Sequence, residues 1–376
     1  MNIPFVYGKI AEKENFTNRK AEQEILYQSF CSLVNTIIIS PRRWGKTSLV
    51  NQVVQRLEKN KTISVCQVDI FNCRTEEQFY QAYATAVLRA NTTVWEEFIN
   101  AARKYLGRLL PSVTLTDMGQ THELSFGLNF KENKMTYDDI LELPHTISQD
   151  TGKKMVVCID EFQNINEYDD PLAFQRKLRS HWQRHTDVCY CLYGSKRHML
   201  LDIFNSYSMP FYKFGNILFL QKIERKEWIK FIQERFNDSG KSISQESCGL
   251  IADLMKNHPY YTQQLSQQTW LRTIDEANPE IINRAFEDII GQLSLLFANI
   301  IDTLTPKQIN FLIAVADGIT NFSSKEVLIK YQLGTSANIK NLKKVATEKD
   351  LIDILPGNKI ELQDPVFAHW LKYNYK

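Results

Sequence analysis

"SPRRWGKTSLV", residues 40–50, follows directly on the apolar run "NTIIIS" at residues 35–40. The segment fits the phosphate-loop template G-x-x-x-x-G-K-[ST] except at its first position, where Ser40 replaces Gly. Such a loop aims backbone N–H groups at phosphate, supplies a lysine for the outer phosphates and a hydroxyl for Mg²⁺, and joins a buried strand to a helix N-terminus. Here "TIIIS" supplies the strand, and the helix is expected to begin near Lys46. Lys46 fits the phosphate lysine and Thr47 the metal hydroxyl, while Gly45 allows close backbone approach. The first template residue mainly shapes the entry turn, so Ser40 does not disable the grip. Ser40, Pro41, Arg42, Arg43, Trp44, Gly45, Lys46, Thr47 and Ser48 are therefore the candidate nucleotide-binding residues. The competing reading is a structural turn between strand and helix.

Downstream, "MVVCIDEF" (155–162) is an apolar run that ends in two acids. A buried strand ending in Asp160 puts a carboxylate where it can hold Mg²⁺ through its water shell. Glu161, the next residue, is then placed to polarise an attacking water. Many strands simply meet solvent at an acidic end, but together with the loop upstream this pair implies ATP hydrolysis rather than binding alone.

The two motifs sit in a larger α/β pattern. Five continuous apolar runs stand out, at 35–40, 63–71, 155–162, 188–195 and 215–223. Continuous rather than alternating runs are expected of strands buried on both faces of a parallel sheet. Segments such as Thr47–Lys59 and Thr75–Arg89 carry apolar residues at helical spacing, as crossover helices do. Residues 111–132 alternate about "DMGQ" and read as an inserted β-hairpin. From Glu224 the chain turns helical, and from Thr303 its grammar changes again. "TPKQINFLIAVADG" has a Thr cap, a Pro at the first helical position and a closing Gly. Two more helices follow, then "LIDILPGNKIELQD" alternates about a Pro-Gly-Asn turn, which makes a winged helix-turn-helix. The expected division is a P-loop domain at 1–223, a helical lid at 224–302 and a winged helix at 303–376.

Composition excludes little. The formal charge of +2 argues for no partner class by itself. The seven cysteines include no C-x-x-C pair; Cys66, Cys158, Cys189 and Cys191 fall inside strand-like runs and read as small core residues in a reducing compartment. No apolar run approaches the ~20 residues of a membrane span, and the N-terminus has no secretory pattern. A cytoplasmic location without membrane attachment is expected.

Several segments resemble the P-loop ATPases related to AAA+ proteins, and more narrowly the archaeal-type ATPases grouped with the STAND class. "FTNRKAEQEIL" (16–26) resembles the entry helix of that family, and "SPRRWGKTSLV" its P-R-R-x-G-K-T-S-L loop. "CIDEFQ" resembles its D-E-F-Q Walker B segment and "YGSKRHML" its G-S sensor segment; "NHPYYTQQL" (257–265) is a weaker match to its G-x-P motif. The resemblance implies a nucleotide-controlled switch that binds ATP or ADP with Mg²⁺ between the α/β domain and the lid. It implies catalytic roles for Lys46, Glu161 and Ser195, and metal binding by Thr47 and Asp160. Pro4, Phe5 and Arg19 would wall the adenine, and His258 and Pro259 would approach from the lid, although Asn257 stands where the family has Gly. Lys213 occupies the stretch where an arginine finger is common, so slow turnover, or activation by a partner, would follow, and stimulation on self-association alone would count against this.

Read from the residues alone, these roles keep alternatives. Ser195 can equally cap the next helix, and His258 can be a satisfied helix-end histidine. Arg42 and Arg43 can contact phosphate or pair with Asp160, Glu161 or surface acids. Gln163 can orient water or hold its loop. A winged helix also suggests DNA: residues 303–376 hold ten lysines against seven acids but no arginine. Lys340, Lys343, Lys344 and Lys349, with Asn338 and Asn341, are the candidate contacts, and a plain solvated face is the alternative. A DNA-binding regulatory or mobile-element-associated protein, using nucleotide only as a conformational ligand, is the second functional expectation.

Overall fold

The computed structural model describes residues 3–11, 15–90, 92, 95–106, 113–115, 124–126 and 137–375. The chain divides into two compact units, one of Arg19–Ser40 with Lys46–Leu220 and the other of Met1–Asn18, Pro41–Gly45 and Gln221–Lys376.

The first unit carries α1 (Lys20–Cys31), β1 (Thr36–Ile39), α2 (Lys46–Leu57), β2 (Ile63–Asp69), α3 (Glu76–Arg89) and α4 (Trp95–Leu106). It continues with β3 (Val113–Leu115), β4 (Leu124–Phe126), α5 (Tyr137–Thr151), β5 (Lys154–Asp160), α6 (Pro171–Trp182), β6 (Val188–Gly194), α7 (Arg197–Asn205) and β7 (Asn216–Phe219). Five strands form one parallel sheet in the order β2-β5-β6-β1-β7. All residues of β1 and β6 are buried, whereas edge strand β2 begins to alternate and edge strand β7 is half exposed. The continuous apolar runs therefore mark the strands covered on both faces. Cys66, Cys158, Cys189 and Cys191 are buried in this sheet. Helix α3 starts where Thr75 Oγ1 accepts from Gln78 N, a side-chain cap of the usual kind. Strands β3 and β4 pair antiparallel; the "DMGQ" turn lies outside the described residues.

The second unit carries α8 (Arg225–Asp238), β8 (Ser242–Ile243), α9 (Gln245–Leu254), α10 (Pro259–Arg272), β9 (Glu276–Ala277) and α11 (Pro279–Asp302). Its C-terminal part is α12 (Pro306–Ala316), α13 (Lys325–Lys330), α14 (Ser336–Glu348), β10 (Ile352–Leu355), β11 (Lys359–Leu362) and α15 (Pro365–Tyr373). The Thr305 capping box opens α12, and Gly318, at φ 79°, closes the turn after it. Strands β10 and β11 pair antiparallel across a turn whose Gly357 is left-handed, giving the wing. Phe297, Phe311, Phe367, Trp370 and Leu371 are buried in the core of this unit, whereas Tyr373 is exposed.

Among the described residues no helix is long and apolar enough to cross a membrane.

Candidate functional site

In the first unit, Ser40, Lys46, Thr47, the acids and Ser195 lie at the C-terminal ends of β1, β5 and β6, where open parallel sheets place ligands. Lys46 begins α2 and is buried; its Nζ donates to the carbonyl of Ser40 at 3.1 Å and to Ser40 Oγ at 3.2 Å. The serine at the first template position thus adds an oxygen that the template glycine lacks. Gly45 has φ 86°, a left-handed conformation that an L side chain rarely adopts.

Thr47 Oγ1 donates to Asp160 Oδ2 at 2.8 Å, and the backbone N–H of Glu161 donates to Asp160 Oδ1 at 2.8 Å. Burial pushes the Asp160 carboxyl up to about 6, against the pull of the Thr47 bond, while neighbouring Glu161 and Asp69 push it further up. Asp69 pairs in register with Asp160 across β2 and β5, so a second acid stands beside it. Glu161 itself adopts φ 56°, uncommon for a residue with a side chain. Its Oε2 accepts from Ser195 N at 3.2 Å, from Ser195 Oγ at 2.9 Å and from Gln163 Nε2. Ser195 and Glu161 are therefore bonded directly. Ser48 is buried on α2. Arg19 is buried in this unit, where its Nη1 pairs with Glu22 Oε1 at 2.9 Å and burial lowers its pKa.

The other candidates fall in the second unit. Pro41 and Trp44 are buried there, and Trp44 meets His258 edge-on at 6.2 Å between ring centroids. Arg42 Nη2 is 3.7 Å from Asp350 Oδ2. Arg43 lies over the Tyr260 ring at 4.6 Å and donates to Tyr261 OH at 3.4 Å; Tyr261 OH in turn donates to Asp364. Of the alternatives left open for these arginines, Arg42 takes an acid, Asp350, whereas Arg43 takes none of them and meets the tyrosines of α10 instead. Arg42, Arg43, His258, Tyr261, Lys349 and Asp364 are among the residues lining a cleft of about 550 Å³ in this unit. His258 precedes Pro259 at the start of α10 and is buried, and its Nδ1 has no hydrogen-bond partner among the described residues. Burial, with Lys222 and Arg43 nearby, lowers its pKa to about 3, so the ring is neutral. Asn257, where the resembling family has Gly, holds φ 58°. Phe5 packs in the core of this unit against Phe231 and Phe236, at 6.1 and 5.6 Å between centroids.

On α14, Lys340, Asn341 and Lys344 are exposed. Asn338 is also exposed, and its Oδ1 accepts from Thr335 N and Thr335 Oγ1 at 3.1 and 2.6 Å, so that oxygen caps the helix. Lys349 Nζ is 3.5 Å from Thr303 Oγ1.

A family model described as "Probable winged helix domain" matches residues 295–373. The Walker-type ATPase PABY2304 of Pyrococcus abyssi superposes with a TM-score of 0.70 at 15% identity, covering 98% of this chain and 99% of that one. The fold is that of a P-loop ATPase with a C-terminal winged helix. The ORC2 protein of Aeropyrum pernix, solved as ADPNP–ADP complexes, shares this fold at a TM-score of 0.58 and 15% identity, over 98% of this chain and 96% of that one. No curated protein matches the chain in sequence. The P-loop fold accounts for the placement of Asp160 at the end of a central strand. Asp69 escaped sequence reading because its neighbour is set by strand register; the acid that ends "SVCQVD" was the available signal.

Proposed function

We propose that the chain binds ATP with Mg²⁺ through residues 40–48, hydrolyses it, and acts as a nucleotide-controlled switch. The observation that carries this reading is the 2.8 Å bond between Thr47 Oγ1 and Asp160 Oδ2, which joins the end of the loop to the end of β5. A hydroxyl beside a carboxylate is a hard-oxygen donor set, and it fits Mg²⁺. When bound, that ion neutralises charge on the β- and γ-phosphates. Lys46 Nζ would leave Ser40 for the outer phosphates, and the amides of the loop would hold the phosphate oxygens. Glu161 would accept a proton from the attacking water, and Ser195, bonded to Glu161, would read the γ-phosphate. The A. pernix protein that shares the fold was solved with ADPNP and ADP, which agrees with this reading. Glu161→Gln tests it: ATP binding should survive and phosphate release should cease. Turnover at the wild-type rate in that variant would end the assignment of Glu161.

The division into an ATPase domain at 1–223, a lid at 224–302 and a winged helix at 303–376 belongs to the same proposal, with the winged helix as the part that responds to nucleotide. One observation favours a second reading, in which the winged helix meets DNA: Lys340, Asn341 and Lys344 are exposed on α14. Lys340→Ala with Lys344→Ala should then weaken a gel shift and flatten its salt dependence; an unchanged shift would remove this reading.

A further inference from the structure

Gln163 stands two residues beyond Glu161, and its side chain is completely buried. Its Nε2 donates to Glu161 Oε2, the same oxygen that accepts from Ser195 N and Ser195 Oγ. Its Oε1 is buried and has no hydrogen-bond partner among the described residues. Leaving a buried amide oxygen unpaired forfeits its hydration with nothing in return, so an apolar side chain would fill this space at lower cost if packing were its only task.

The neighbouring strand is shaped to admit the amide. Gly194 ends β6 without a left-handed φ, so its backbone conformation does not call for glycine. Space does: a Cβ on residue 194 would overlap Gln163 Oε1, and would lie 2.9 Å from Gln163 Cδ and 3.2 Å from Glu161 Cα. Glu161 meanwhile holds φ 56°, a conformation that persists only where surrounding contacts enforce it.

We infer that Gln163 is the positioning residue for Glu161, and that Gly194 is glycine to make room for it. The inference rests on the reading of Glu161 as the base. Three donors on Oε2 fix the rotamer of the carboxylate, while Glu161 Oε1 accepts no hydrogen bond among the described residues. That oxygen takes the proton as the water O–H bond breaks; the water oxygen bonds to the γ-phosphorus, and the bond from phosphorus to the ADP oxygen breaks. A neutral amide anchors the carboxylate without adding a charge that would shift its affinity for the proton. Ser195 serves two partners in turn, so contact with the γ-phosphate would leave Gln163 as the side chain that keeps Glu161 in place.

The test is steady-state phosphate release from Mg-ATP by the full chain, with kcat and KM separated, beside melting temperatures. Gln163→Met keeps the length of the side chain and removes the amide. It should lower kcat on the order of 10- to 100-fold, the scale set by small misplacements of reacting groups, with KM within about twofold of wild type. Gly194→Ala should lower kcat and melting temperature. Adding Gln163→Ala to Gly194→Ala should make kcat no lower than Gln163→Ala alone, and should recover melting temperature, because the overlap is gone. Wild-type kcat in Gln163→Met, or multiplicative losses in the double variant, would overturn the inference. So would a Gly194→Ala protein that melts with wild type, a result readable even without turnover. If Glu161→Gln stops phosphate release while Gln163→Met leaves kcat intact, only the positioning role fails; if Glu161→Gln turns over normally, the underlying reading fails first.

Discussion

Thr47→Ala removes one hydroxyl, and its consequences can be worked through from the surroundings of Asp160. That carboxylate accepts from Thr47 Oγ1 and from Glu161 N, each at 2.8 Å. A hydrogen bond to a charged group contributes ~1.5–3 kcal/mol. Burial already raises Asp160 to about 6, and the Thr47 bond is the largest influence holding it down. Without the hydroxyl the carboxyl would take up a proton more readily, which relieves part of the loss, so the ligand-free protein should lose only ~1–2 kcal/mol. With Mg-ATP the cost should be larger, because the hydroxyl is then also missing as a metal ligand. At 1.4 kcal/mol per tenfold, a loss of ~2–3 kcal/mol corresponds to about 30- to 150-fold weaker binding. Thr47→Ser keeps the oxygen and should stay within a few-fold of wild type. Titration of each variant with ATP in Mg²⁺, and again in chelator, reads the effect, because the loss should be confined to the Mg²⁺ series. Equal affinities for the alanine and serine variants, or the same loss in chelator, would refute the reasoning.

Two further outcomes follow from the second unit. Asp364 caps α15 by accepting from Val366 N at 2.8 Å and from Phe367 N at 3.0 Å, and it also accepts from Tyr261 OH. Asp364→Ala should cost ~1–2 kcal/mol in urea unfolding, with Asp364→Asn close to wild type, since asparagine caps as well as aspartate does. His258 is neutral when folded, with its pKa lowered to about 3, whereas the unfolded chain takes up a proton near 6.5. The unfolded state therefore binds more protons as pH falls through that window, and stability is lost on acidification. Between pH 7 and pH 5 the wild type should lose ~2 kcal/mol more than His258→Gln, at ~1.4 kcal/mol per pKa unit; parallel stability curves would count against a buried neutral ring.

The sequence carried the sheet because β1, β5 and β6 are buried on both faces, and full burial leaves a run with no polar interruptions. It carried the pairing of Thr47 with Asp160 because each occupies a fixed place in a short motif. The partners of Arg42 and Arg43 were not legible, since Asp350 and Tyr261 come from distant parts of the chain and no local pattern names them. Phe5 was expected at a nucleotide pocket, and its ring packs in the helical core; an aromatic near the N-terminus carries no periodicity that would tell one place from the other. The capping role of Asn338 Oδ1 was passed over, although its position three residues after Thr335 signals it. Gln163 was left between two roles because its contact with Gly194 depends on the spacing of β5 and β6, which only the folded sheet defines.

The most direct measurement is calorimetric titration of Mg-ATP into the wild-type chain and into Lys46→Ala. The wild type should bind one equivalent and release phosphate on incubation, while Lys46→Ala, folded as judged by its melting curve, should bind at least tenfold more weakly. A wild-type chain that takes up no nucleotide, or a Lys46→Ala chain that binds as tightly, would contradict the account.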